Sequence, residues 1–220
     1  VQPLFLLLLI LTTSASAETV AIPFTQPEGF PLSFRLLVPK QDSAIVSHKK
    51  ENGADTITAR ITDDKGGGLI VEALDAESKR VWISDFGYNL SAVPGCSVSV
   101  AFHPKLSALI VSYQGYKWDH SHKLLFVKKE ESGHVVSEYS PKAPEIASFI
   151  KKQDGYSSDH KYHIYPYKFE QERVVFECVP AELPERKAER PFAQDVPWFH
   201  VTASISPVFV VAPTHVEKAN

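Results

Sequence analysis

The chain has 220 residues, 44% of them hydrophobic, and a formal net charge of −3. That is enough for one domain with a substantial core or for two small ones. Lys and Arg are interleaved with Asp and Glu throughout, which leaves no basic stripe of the kind that binds nucleic acid.

The first residues, VQPLFLLLLILTTSASA, carry an uncharged apolar run from Leu4 to Leu11 and then small polar residues ending in Ala15-Ser16-Ala17. This is the pattern of a signal-peptide apolar region with its Ala-x-Ala cleavage site, so residues 1–17 are expected to be a leader and the mature chain to begin at Glu18. Export to the periplasm or outside the cell follows. The run is too short for a membrane span, which needs about 20 apolar residues.

Residues 18–220 are expected to form one β-rich domain. Prolines at 23, 27, 31 and 39 make an extended lead-in to a strand over Leu32–Val38, and Ala44–His48 reads as a short second strand. Thr56–Thr62, TITARIT, alternates residue by residue, with Ile57, Ala59 and Ile61 on one face, and so predicts a strand with one wet face. The Gly66-Gly67-Gly68 segment lacks the spacing of a phosphate-binding loop and reads as a turn. Leu69–Leu74 and Arg80–Phe86 follow as two arms of a hairpin.

Three apolar, β-branched-rich runs then come in close succession: Val98–Phe102, Ala108–Tyr113 and Lys123–Val127. They predict an antiparallel meander, the most legible part of the chain. His134–Tyr139 reads as another strand. Residues 142–152, KAPEIASFIKK, are the one expected helix, with Pro144 and Glu145 in the first turn and Ile146, Phe149 and Ile150 at helical spacing. His163–Phe169 and Arg173–Val179 form a further pair, a Pro- and charge-rich loop covers 180–197, and Trp198–Ser204 and Val208–Val211 return to strands. The fold class is therefore all-β, built of antiparallel meanders with at most one short helix.

Within residues 97–128, the phrase SVSVAFHPKLSALIVSYQGYKWD resembles the inner part of a WD-repeat or related β-propeller blade. It has a strand ending near a proline, a turn, an aliphatic strand, a glycine turn and another strand. The resemblance implies a propeller-like array. Trp118-Asp119 opens the third strand here instead of closing it, the Gly-His dipeptide of the repeat is absent, and no period of about 40–45 residues recurs along the chain. A β-sandwich or barrel accounts for the same strands without a repeat.

The chain has two cysteines, Cys96 and Cys178. In an oxidising compartment they are the one pair able to form a disulfide, closing a loop of roughly 80 residues for about 4 kcal/mol of chain entropy; otherwise they are two buried thiols. Neither reading makes them catalytic.

Nine histidines are the most unusual polar feature. Asp119-His120-Ser121-His122 and Asp159-His160-Lys161-Tyr162-His163 each set two histidines beside an acid, so His120, His122, His160 and His163 are candidate ligands for zinc or copper if the two segments meet. No Gly-x-Ser-x-Gly elbow and no His-Glu-x-x-His helix is present. Tyr113, Tyr116 and Trp118 are candidates for an aromatic face that binds a protein or a glycan. Tyr162, Tyr165 and Tyr167 read as a second aromatic-lined face, opposite His163. The leading expectation is an exported, non-catalytic binding domain with a protein or glycan ligand and no resident cofactor. The alternative is a metal-binding protein or metal-dependent hydrolase that uses the Asp119–His122 and Asp159–His163 clusters.

Overall fold

The computed structural model describes residues 19–39, 43–51, 53–61, 69–86, 96–115, 120–139, 144–181, 193, 195–206 and 211–219. The expected leader, the triple-glycine turn, Tyr116, Trp118, Asp119 and most of the 180–197 loop lie outside them.

Strands β1 (Thr19–Pro23), β2 (Ser33–Pro39), β5 (Ile70–Leu74) and β6 (Arg80–Asp85) form a first sheet, in the order β1-β2-β5-β6. A second sheet holds β3 (Ser43–Glu51), β4 (Ala54–Ile61), β7 (Cys96–His103), β8 (Ala108–Gln114), β9 (His120–Glu130) and β10 (Gly133–Tyr139), in the order β10-β9-β8-β7-β4-β3. After helix α1 (Pro144–Ile150), strands β11 (Tyr162–Glu170), β12 (Arg173–Pro180), β13 (Phe199–Ile205) and β14 (Val211–Lys218) make a third sheet in chain order. Every pairing is antiparallel.

The six-stranded sheet is the middle layer. On β8, Leu109, Val111 and Tyr113 pack with Phe34, Leu36 and Val71 of the first sheet, whereas Ala108 and Ile110 pack with Phe176, Phe199 and Val201 of the third. On β9, Leu125 and Val127 face the first sheet and Leu124 and Phe126 the third. Burial on both faces explains why these strands read as unbroken apolar runs. Helix α1 ends at Ile150, two residues before the expected end at Lys152, and its Ile146 and Ile150 are buried in the core beneath the third sheet.

Toward the far edge the middle sheet has one core face only. Ile57 and Ala59 of β4 are in the first core, while Thr56 and Thr58 are half-buried and Arg60 is exposed, as the alternation of TITARIT predicts. Thr58 and Ser97 are hydrogen-bonded through their hydroxyls, 2.9 Å apart, across β4 and β7. The β3–β4 hairpin turns at Gly53, whose φ of +80° is left-handed and is strained for any residue with a side chain. The carboxylate of Asp55, also on β4, is buried and accepts from the Thr25 amide at 2.5 Å and from His48 Nε2 at 2.9 Å, which pins the segment between β1 and β2 to the middle sheet.

Two expectations are corrected. The meander β7-β8-β9 belongs to a layered sandwich and not to a propeller blade; its two outer neighbours, β10 and β4, continue one wide sheet. The strand–turn pattern of a blade and of this meander arise from the same local chemistry, with Pro104 opening a one-turn 3₁₀ helix (Pro104–Leu106) that His103 caps. Nor are Cys96 and Cys178 joined: both are free thiols. Cys96 packs against the core between the first and middle sheets and Cys178 lies in the core between the middle and third, so the two sit in different cores. In 6 M guanidinium without reductant, a thiol assay on the purified chain is therefore expected to find two reactive thiols per molecule, and none would restore the disulfide.

Candidate functional site

The described residues that the sequence nominates fall on β8, on β9, on β11 and in the loop before β11. Tyr113 is a core residue, not part of a binding face: it shares the inward face of β8 with Leu109 and Val111, its ring stacks on Phe86 at 5.9 Å, and its hydroxyl donates to Cys96 Sγ at 3.6 Å. Tyr116 and Trp118 lie outside the described residues. His160 precedes β11 and is hydrogen-bonded through Nδ1 to Ser157 Oγ at 2.9 Å, and His163 is an exposed residue of β11 opposite Val179. Among the described residues, no group of three or more His, Cys, Asp and Glu side chains is placed to hold a metal ion.

His120 and His122 open β9, with the parity of Leu124 and Phe126, and so point toward the third sheet. There they meet Tyr165 of β11. Its ring stacks on His122 with centroids 4.6 Å apart and meets His120 edge-on at 5.3 Å. His122 Nδ1 is 2.8 Å from Ser112 Oγ on the neighbouring strand. Burial, reinforced by the neighbouring His120, lowers the pKa of His122 to about 4, so the imidazole is neutral at neutral pH.

From Tyr165 a row of polar groups crosses the third sheet. Register places Tyr165, Glu177, His200 and Glu217 side by side on β11, β12, β13 and β14, on the face opposite the core residues Phe176, Cys178, Phe199 and Val201. The phenol of Tyr165 donates to Glu177 Oε2 at 2.5 Å; desolvation, and then this bond to a carboxylate, push its pKa far up, so the proton stays on the phenol. Glu177 Oε1 is 3.4 Å from His200 Nε2, and His200 Nδ1 is 3.8 Å from Glu217 Oε1.

Tyr167 adds an aromatic surface. Pro166 pairs with Phe176 and Lys168 with Val175, so Tyr167 is the extra residue of a bulge and projects from the ladder. It is 48% exposed, and its ring lies nearly parallel to His200, 5.6 Å away and 16° apart in plane. Lys168 Nζ stands 5.7 Å from the ring centroid and pairs with Glu170 at 2.6 Å. The three tyrosines thus do not share a face: Tyr162 packs inward on Tyr156 and Phe199, whereas Tyr165 has the parity of His163.

Beside this row lies a cavity of about 530 Å³ lined by Glu170, Gln171, Arg173, Thr202, His215 and Glu217. A larger one of about 870 Å³ opens where the β7–β8 and β11–β12 turns meet, and Gln171 and Arg173 line both. The wall between the two turns is built by His103, whose Nδ1 accepts from the Leu106 amide and whose Nε2 donates to the Gln171 carbonyl, and by a Lys105–Glu172 pair at 3.2 Å. The site offers hydrogen-bond donors and acceptors, paired charges and one exposed ring. The Cys178 thiol takes no part: burial pushes its pKa up to about 12.

Sequence reasoning missed Glu177, His200 and Glu217. A signal existed for the first two, each being the one polar residue inside an apolar stretch, VVFECVP and WFHV. Their adjacency, however, is a property of strand register. Comparisons of the chain with protein families, with curated proteins and with solved structures find no match.

The low pKa of His122 fixes a sign for the pH dependence of stability. The unfolded chain binds the proton near 6.5 and the folded chain near 4, so the contribution of neutral His122 is full above about pH 6.5 and is lost as pH falls to about 4. It amounts to roughly 3 kcal/mol. Urea unfolding of the wild type and of His122→Asn, which keeps a partner for Ser112, is expected to give curves whose difference changes across that window. A constant difference would show that His122 does not titrate this way.

Proposed function

We propose that this chain is an exported β-rich binding domain without a catalytic role, and that its ligand is a glycan laid on the face of the third sheet opposite the core. The observation that carries the reading is Tyr167: an aromatic ring 48% exposed, held parallel to His200 and set beside a row of hydrogen-bonding groups and a cavity.

Sugars are recognised by such a combination. A flat ring gives the C–H face of a pyranose an apolar surface at little entropic cost, and carboxylates, imidazoles and hydroxyls around it satisfy the sugar's own hydroxyls. Here Glu217, His215 and Thr202 line the cavity beside the ring-bearing strand. The row beneath is already ordered by its own bonds, Tyr165 to Glu177 and Glu177 to His200, which lowers the cost of fixing side chains on binding. Lys168 Nζ stands beside the ring, 5.7 Å from its centroid, and is paired with Glu170. The leader-like residues 1–17 support a location where extracellular or envelope glycans are met.

The test is a glycan array followed by calorimetry on the mature chain, wild type and Tyr167→Ala. A retained glycan whose affinity falls about 10-fold or more in Tyr167→Ala, with a cooperative urea transition kept although its midpoint falls with loss of the half-buried ring, is the expected result. No retained glycan overturns the reading, and capture of a protein through Tyr167 instead would replace the glycan by a protein partner.

A further inference from the structure

Resting on that reading, we infer that the glycan is acidic and that Arg173 receives the carboxylate of one of its sugar units. Arg173 is the first residue of β12, immediately after the Gln171-Glu172 turn, and it lines both cavities, so a ligand running from one to the other passes over it.

The two carboxylates that flank it along the β11–β12 turn are already matched in pairs. Glu170, its cross-strand neighbour, is bound to Lys168 at 2.6 Å, and that bond holds the Glu170 carboxyl below its usual range. Glu172 is paired with Lys105 at 3.2 Å. Among the described residues Arg173 makes no ion pair, and its side chain is exposed at the junction of the two cavities. Arg173 is the one Lys or Arg side chain lining the smaller cavity, and without a carboxylate partner among the described residues its guanidinium is open to a ligand's negative charge.

The chemistry also selects the kind of charge. The planar guanidinium fork matches a carboxylate through two parallel N–H···O bonds. A doubly charged phosphate would bring a second negative charge toward Glu217, the carboxylate of these cavities that no Lys or Arg pairs among the described residues. On either side of Arg173 the walls suit the rest of a sugar: Thr202 and His215 offer polar groups in one cavity, and Leu106 and Ile205 an apolar surface in the other.

The experiment measures binding of the mature chain to three probes: a uronic-acid oligosaccharide, its methyl ester and the corresponding neutral oligosaccharide, with inorganic phosphate as competitor. The acid is expected to bind at least 10-fold more tightly than the ester or the neutral sugar. Arg173→Gln is expected to erase that preference and leave binding at the neutral level, and Arg173→Lys to retain part of it. Equal binding of acid and ester to the wild type overturns the carboxylate inference while leaving glycan binding intact, and this comparison needs no variant. A preference that survives in Arg173→Gln assigns the carboxylate elsewhere. Displacement by millimolar phosphate as effective as by the acid shows a general anion site, and binding of none of the three sugars removes the glycan reading itself.

Discussion

The double burial of β8 and β9 is the constraint from which the rest of the architecture follows. Ala108, Ile110, Leu124 and Phe126 point one way and Leu109, Val111, Leu125 and Val127 the other, and all are nearly inaccessible to water. A two-layer sandwich can cover only one of these sets. At about 25 cal/mol for each Å² of apolar surface, leaving the other wet would cost several kcal/mol for these side chains alone. The chain answers with a layer on each side: β1, β2, β5 and β6 alternate in sequence with the strands of the middle sheet, and α1 with β11–β14 follows as a separate block. The positions of the two cysteines follow from the same arrangement, since each belongs to a different core.

Where the third sheet meets the middle one, apolar packing gives way to polar contacts at the margins, because a buried polar group must find a partner. At one end His103 bridges the Leu106 amide and the Gln171 carbonyl and packs against Phe169 at 5.1 Å. At the other, His120 and His122 hold Tyr165. Both contacts fall on β11, an edge strand, and that strand also carries Pro166. Proline has no N–H to give the ladder and is tolerated at edges and bulges. The register shifts between Pro166 and Lys168, and the residue so displaced is Tyr167, the exposed ring of the candidate site.

Local pattern was the part of this structure open to reading in the sequence. Alternation in TITARIT gave a strand with one wet face, and the helical spacing of Ile146 and Ile150 placed α1. What alternation cannot say is which sheet a strand joins, since any apolar partner satisfies the same face. The unbroken run ALIV of β8 was the available sign of three layers, because only a strand covered on both sides has no polar alternation. Tyr113 shows the limit from the other side: its spacing suits an exposed edge or a core equally, and only the packing of Phe86 over it decides. Of the histidine pairs, His120 and His122 do enter a cluster, but with a tyrosine and a carboxylate from strands more than 40 residues away, a proximity that the register of β11 and β12 creates.

The polar faces available for function differ in how far they are closed. On the first sheet, Glu72 is buried between Arg35 at 2.5 Å and Arg80 at 3.6 Å, and the two guanidiniums leave its carboxylate little room for a ligand. On the third sheet the row is hydrogen-bonded from Tyr165 to His200, Glu217 follows 3.8 Å beyond, and Glu217 also lines an open cavity. Neutral His122 supports Tyr165 from below, the phenol fixes one oxygen of Glu177, and the other oxygen is left facing His200, on which Tyr167 lies. Each contact restricts the next, so the exposed ring is held in place from beneath. For the proposed glycan that would be preorganisation, since the ordering cost of the ring's support is met in folding.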